Sequence, residues 1–227
     1  MTEKIRQELR RMADGEYKIF SASLMPNIEK DSVLGVRVPI LRSYAKKIFK
    51  EGKYEEFLSG IPHLYFEENN LHTFIVEHIK DFNEAIDETE KFLPYIDNWA
   101  TCDMFMPKTF KKNKEELLKY IKKWIKSDKT YTVRYAVKLL MTLYLDEDFD
   151  EEFMSFVASV CSDEYYVNMM VSGYFATALF KQPKSALFYI EEKKLPIWVH
   201  NKSIQKARES KRISNEMKEY LNSLKIK

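Results

Sequence analysis

The chain has 227 residues with only five glycines and seven prolines. That length can bury a continuous core, so disorder is not the expectation, and the poverty of turn residues argues against a sandwich or barrel. A net charge of +2 from 37 basic and 35 acidic residues is too small to point to nucleic acid. The distribution of charge says more than its sum.

Residues 3–22 read as one or two helices broken near Asp14-Gly15, with Ile5, Leu9, Met12, Ile19 and Phe20 as core positions. The stretch Leu34 to Arg42 leads into a helix whose apolar face is Leu41, Tyr44, Ala45 and Ile48. Pro39 suits its first turn, and Arg37, Arg42, Lys46 and Lys47 stay polar around it. Apolar residues three and four apart predict further helices near 54–60, 66–79, 83–95, 98–106, 113–126, 130–145, 149–160, 164–181, 183–192, 196–208 and 214–224. Connections such as Ser127-Asp128-Lys129 and Lys181-Gln182-Pro183 are short, which makes successive helices antiparallel neighbours. With no linker-like stretch, residues 1–227 form one expected domain. The expected fold is all-α, a curved solenoid of degenerate HEAT-like helix pairs; a compact irregular bundle has the same periodicity.

Acid gathers in Asp146 to Glu152, and base in Lys108 to Lys126 and again in Lys202 to Arg212. Cys102 and Cys161 lack metal-ligand spacing and read as buried thiols of a reducing compartment. The charged start of the chain and the lack of a long apolar run predict a cytoplasmic protein without a membrane segment. His63, His72, His78 and His200 are too dispersed in sequence to suggest a ligand cluster, and neither a nucleotide-binding glycine loop nor a serine-nucleophile motif occurs.

Four stretches could carry chemistry. In Asn98-Trp99-Ala100-Thr101-Cys102-Asp103, a helix would put Trp99 and Asp103 one turn apart on one face. They could hold a sugar and stabilise positive charge on it, or Trp99 could be core and Asp103 the partner of a neighbouring cation. Arg134 sits in an almost wholly apolar helix and needs an acceptor, either an acid such as Asp103 or a phosphate. Gly173 lies inside a helical pattern at a cost of about 1 kcal/mol relative to alanine, for the close approach of another helix or for a ligand. Lys202 and Lys206, one turn apart on a basic amphipathic helix, are a solvated face or a phosphate-binding pair.

These segments together resemble the DNA alkylation repair family of HEAT-like proteins, the AlkD-type DNA glycosylases. The likeness rests on Gly35-Val36-Arg37-Val38-Pro39-x-Leu41-Arg42, Asn98-Trp99-x-x-Cys102-Asp103 and Val133-Arg134. It extends through Tyr165-Tyr166-Val167-Asn168-Met169-Met170 with Phe175-Ala176-Thr177-Ala178-Leu179, and through His200-Asn201-Lys202-x-Ile204-Gln205-Lys206-Ala207-Arg208-Glu209-Ser210. The resemblance implies duplex DNA on a positive concave face and hydrolysis of the N-glycosidic bond of cationic N3- or N7-alkylated purines, with the lesion left in the stack. It assigns catalysis to Trp99 and Asp103 and a phosphate contact to Arg134; Arg37, Arg42, Asn201, Lys202, Gln205, Lys206 and Arg208 complete the expected DNA contacts. It implies no metal, no cofactor and a monomer.

One position departs from the family pattern. Where a second active-site tryptophan belongs, this chain has Gly173, and Tyr174 is turned by roughly 100° along the helix. Half of the aromatic cradle is missing. A weaker or altered glycosylase, a DNA-binding relative without catalysis and a protein-interaction scaffold are the competing readings.

Overall fold

The computed structural model describes residues 2–227. It contains fourteen α-helices and three short 3-10 segments, with no strand among the described residues. The chain forms two compact units that divide between Lys114 and Glu115.

The N-terminal unit holds α1 (Thr2–Arg11), α2 (Gly15–Ser23), α3 (Val38–Glu51), α4 (Glu55–Leu58), α5 (Phe66–Val76), α6 (Phe82–Phe92) and α7 (Trp99–Met104). Helix starts follow local chemistry. Asp14 accepts the Tyr17 N–H at 3.0 Å, Asp81 accepts the Glu84 N–H at 2.8 Å, and Pro39 opens α3. Gly52 closes α3 in the left-handed conformation, with φ of 66°.

Helix α5 is the centre of this unit, packed against α3, α6 and α7, and every one of its residues is buried. Leu71, Phe74 and Ile75 supply apolar burial, about 1.5–3 kcal/mol per side chain. The buried acids of α5 hold the chain around it. Glu67 accepts the N–H groups of Leu34, Gly35 and Val36 at 2.8, 2.7 and 3.2 Å. Glu68 pairs with Arg6 at 2.8 Å and accepts the N–H groups of Leu64 and Tyr65. Burial pushes the Glu67 carboxyl above the usual carboxylate range, against the pull of those backbone donors.

Gly35 has a φ of 94° and lies so close to the start of α2 that an added Cβ would meet the Asp14 carbonyl and stand 2.8 Å from the Lys18 backbone nitrogen. Helix α2 departs from part of the sequence expectation. Helix α2 turns Ser21 and Ala22 inward, and the candidate core residues Ile19 and Phe20 are 74% and 58% exposed. Ala22 packs there against Met25, Val33 and Phe66, while Gly35 lies against Asp14 and Lys18 at the start of the helix.

The C-terminal unit holds most of α8 (Lys114–Trp124), then α9 (Thr130–Leu143), α10 (Glu151–Ala158), α11 (Tyr165–Lys181), α12 (Pro183–Glu191), α13 (Ile197–Glu209) and α14 (Asn215–Ser223). Helix α11 is the hub, flanked by α9 and α13, with α10 and α12 also against it. Tyr135 of α9 and Tyr174 and Phe175 of α11 are among the largest fully buried side chains of this unit. Of the two cysteines expected to be buried, Cys102 is buried and Cys161 is exposed, because Cys161 falls in the loop between α10 and α11 rather than on a helix face. No helix among the described residues is long and apolar enough to cross a membrane.

Candidate functional site

In the N-terminal unit the first turn of α7 is held rigidly. The Asn98 side chain caps the helix by accepting the Thr101 N–H at 2.8 Å and donates to the Thr101 hydroxyl at 3.0 Å; that hydroxyl donates to Asn70 Oδ1 on α5 at 2.8 Å. Asn98, Thr101 and Cys102 are buried, while Trp99 and Asp103 are half-buried on the other side of the helix. The Trp99 indole N–H donates to the Leu24 carbonyl at 3.1 Å, and its ring packs against the cluster of Ala22, Met25, Val33 and Phe66. Trp99 thus anchors the end of α2, and Asp103 follows it one helical turn later.

Arg37 and Arg42 each have an acid of their own. Arg37 donates twice to Asp14 Oδ2, at 3.0 and 2.8 Å, with its guanidinium 5.0 Å from the centre of the Tyr17 ring. The Tyr17 N–H and then the Arg37 guanidinium hold the Asp14 carboxyl below the usual carboxylate range. Arg42 pairs at 2.5 Å with buried Glu77 and lies 3.9 Å over the Phe74 ring, and a second nitrogen is 3.5 Å from the Met104 carbonyl at the end of α7.

In the C-terminal unit, Arg134 is 7% exposed and donates to the Tyr166 carbonyl at 2.6 Å. A backbone carbonyl in the first turn of α11 is thus one acceptor of the buried arginine. An added Cβ at Gly173 would meet no atom within 4 Å. Close helix approach, one of the two explanations for this glycine, is excluded. Gly173 instead opens on a groove of about 380 Å³, where Ala176, Thr177 and Phe180 of α11 face Lys206, Glu209 and Arg212. Tyr174 is fully buried and does not line the groove.

Along α13 the expected contacts divide. Asn201 is tied to the chain end, donating to the Ile226 carbonyl at 2.8 Å and accepting the Ile226 N–H at 3.0 Å, beside the bond between His200 and the Leu224 carbonyl. Lys202 lies 5.6 Å from the Trp198 ring and donates to Gln205 at 3.0 Å, and Gln205 donates to Glu209 at 2.9 Å. Arg208 is exposed and Lys206 lines the Gly173 groove.

The structure also joins residues that sequence spacing kept apart. His63 Nε2 and His72 Nδ1 are 2.9 Å apart, between Phe57 and Phe92 rings. Burial draws the His63 pKa down to about 4 and drives that of His72 well below the ordinary histidine value. Nine residues of separation across a loop and a helix start carry no helical or strand period that would signal this pair. Among the described residues no three His, Cys, Asp or Glu side chains are arranged to hold a metal ion.

The described residues are all-helical, and one turn of α7 carries Trp99 and Asp103 four residues apart. The family is specific. Residues 5–172 match the DNA alkylation repair enzyme family, and the chain belongs to it. The protein is accordingly a DNA repair protein with DNA as its substrate. The match ends at Ser172, so Gly173 and helices α12 to α14 lie outside it. No curated protein matches the chain.

Proposed function

We propose that this protein is an AlkD-type DNA glycosylase that hydrolyses the N-glycosidic bond of cationic N3- or N7-alkylated purines in duplex DNA, with the lesion left in the stack. The observation that carries this reading is the shared face of Trp99 and Asp103 on α7, fixed through Asn98 and Thr101 to buried Asn70. The alternation of α9, α11 and α13 as packed neighbours supports a HEAT-like array, here taken as one repeat domain over residues 1–227 of a cytoplasmic monomer.

The chemistry follows from charge. An alkylated purine is already cationic and leaves as a neutral base when the C1′–N bond breaks, so strong general-acid help is unnecessary. The bonding pair departs with the base and positive charge develops on the deoxyribose. The Asp103 carboxylate and the Trp99 ring face stabilise that cation. Asp103 also orients a water whose oxygen bonds to C1′ and whose proton passes to the carboxylate or to solvent. Arg134, Lys202, Lys206 and Arg208 hold phosphates, with Gln205 and Asn201 beside them; Arg37 and Arg42 add DNA contacts from α3 and its N-cap, each through guanidinium nitrogens left over from its pairing with Asp14 or Glu77. No metal or cofactor enters this scheme.

A second reading, DNA binding without catalysis, is favoured by one observation: the position of the second cradle tryptophan is a glycine facing open space. Base release from methylated duplex DNA in the presence of chelator separates the two. The native protein is expected to release 3-methyladenine and 7-methylguanine, and Asp103→Asn to lose release by about a hundredfold or more while duplex affinity stays within about twofold. A fully active Asp103→Asn protein would reject the assignment. No release by the native protein, restored by Gly173→Trp, would establish the second reading and its cause.

A further inference from the structure

Within the N-terminal unit, the C-terminal half of α3, the loop after α5 and the 3-10 turn Lys108–Lys112 enclose a pocket of about 590 Å³. Its size falls in the range of small-molecule sites, which run from about 300 to 1,000 Å³. Its lining carries five lysines, Lys46, Lys50, Lys80, Lys108 and Lys112, and not one carboxylate. Lys46, Lys50, Lys80 and Lys112 form no ion pair among the described residues. Glu77, adjacent in sequence to the pocket residue His78, is occupied by Arg42 and by the Met106 N–H at 3.0 Å.

Phe49, Ile79 and His78 bring apolar and aromatic surface to the same pocket. Phe49 is stacked on Tyr54 with ring centres 5.0 Å apart and is tilted against His78 at 5.5 Å, so its orientation is fixed. The Lys108 ammonium, which can only donate, lies 3.0 Å from His78 Nδ1. His78 is therefore neutral with its proton on Nε2, a further donor. Burial, followed by the charges of Lys108, Lys46 and Arg42, lowers the His78 pKa in keeping with that state.

Like charges gathered around a concavity, without acids to offset them, focus positive potential on its interior. We propose that this pocket binds an organic phosphate, a flat apolar group carrying two or more phosphates, of the nucleoside di- or triphosphate class. The phosphates meet the lysines and the flat group lies on Phe49 and Ile79. A duplex backbone is a poorer match, since it presents phosphates without an apolar group to cover Phe49. The site is distinct from Trp99 and Asp103 and does not depend on their role.

Titration calorimetry on the full chain tests this with ATP, pyrophosphate and a short undamaged duplex as probes. The variants are Lys46→Ser/Lys112→Ser, whose lysines are exposed or at the rim, and Phe49→Leu; thermal melts verify that each is folded. ATP is expected to bind the native protein and to bind the double variant about tenfold or more weakly. Phe49→Leu is expected to weaken ATP while pyrophosphate stays within about twofold. Failure of the native protein to bind ATP would overturn the proposal, as would equal ATP affinity in native and double-variant protein. A loss confined to the duplex would overturn it too, by making the lysines a DNA-backbone contact. Equal weakening of ATP and pyrophosphate by Phe49→Leu would refute the role given to the apolar floor.

Discussion

Replacing Gly173 by alanine isolates the cost of a glycine in mid-helix. Gly173 is the ninth residue of the 17-residue helix α11, with turns on both sides, so end fraying does not dilute the effect. Glycine in such a position is about 0.8–1.0 kcal/mol less favourable than alanine, because the unfolded chain has more freedom to lose. Its backbone is outside the left-handed region, and the new Cβ would have no atom within 4 Å. No clash subtracts from the gain and no new packing adds to it. The Thr177 hydroxyl bond to the Gly173 carbonyl, 2.8 Å long, uses only backbone at that position and persists. Gly173→Ala should therefore stabilise the protein by about 1 kcal/mol. In urea, with a slope of about 2–3 kcal/mol per molar, the midpoint should rise by about 0.3–0.5 M. A midpoint that stays or falls would refute the reasoning and mean that α11 needs glycine for its own conformation. A rise would show that a destabilising residue stands where packing does not demand it.

Two further predictions concern buried polar groups. Glu67→Gln keeps the side-chain volume but leaves only one acceptor oxygen, so an amide N–H₂ must face the backbone donors on one side, Leu34 or the pair Gly35 and Val36; it should destabilise by about 2–3 kcal/mol, read from urea unfolding, and a loss below about 1 kcal/mol would refute the role of Glu67 in anchoring the Gly35 loop. The lowered pKa values of His63 and His72 mean that the unfolded chain binds more protons than the folded one once the pH falls below about 6.5. Their contribution to stability is present above that pH and is lost as pH falls, through about 4 for His63 and with His72 depressed in the same direction, at about 1.4 kcal/mol per pH unit for each proton taken up. The raised pKa of Glu67 acts in the opposite sense, favouring the folded state as that carboxyl protonates. A His63→Leu/His72→Leu variant should flatten the fall in urea stability over this range, and an unchanged slope would show that other groups set it.

Features fixed by neighbours in the chain are legible in the sequence, although Tyr44 of the expected α3 face is only half-buried. The break at Asp14-Gly15, the entry of α3 at Pro39 and its face of Leu41, Ala45 and Ile48 depend on residues within a turn or two of one another, and that information lies in the order of the chain. The pairing of Trp99 with Asp103 belongs to the same class, since four residues in a helix put two side chains on one face. The exposure of Ile19 and Phe20 does not, because it depends on which face of α2 the rest of the unit covers, and that face carries Ser21 and Ala22. Periodicity finds an apolar stripe but carries no record of the space left for it. Partners were likewise invisible: Glu67 with the Gly35 loop, Arg42 with Glu77, His63 with His72 and Arg134 with the Tyr166 carbonyl. Arginine in an apolar helix reveals that an acceptor is needed, and only packing decides which acceptor comes within reach. Gly173 marks the same boundary. Sequence showed that the residue was costly, while the groove beside it, and the absence of any atom where a side chain would stand, exist only once α11 and α13 are folded against each other.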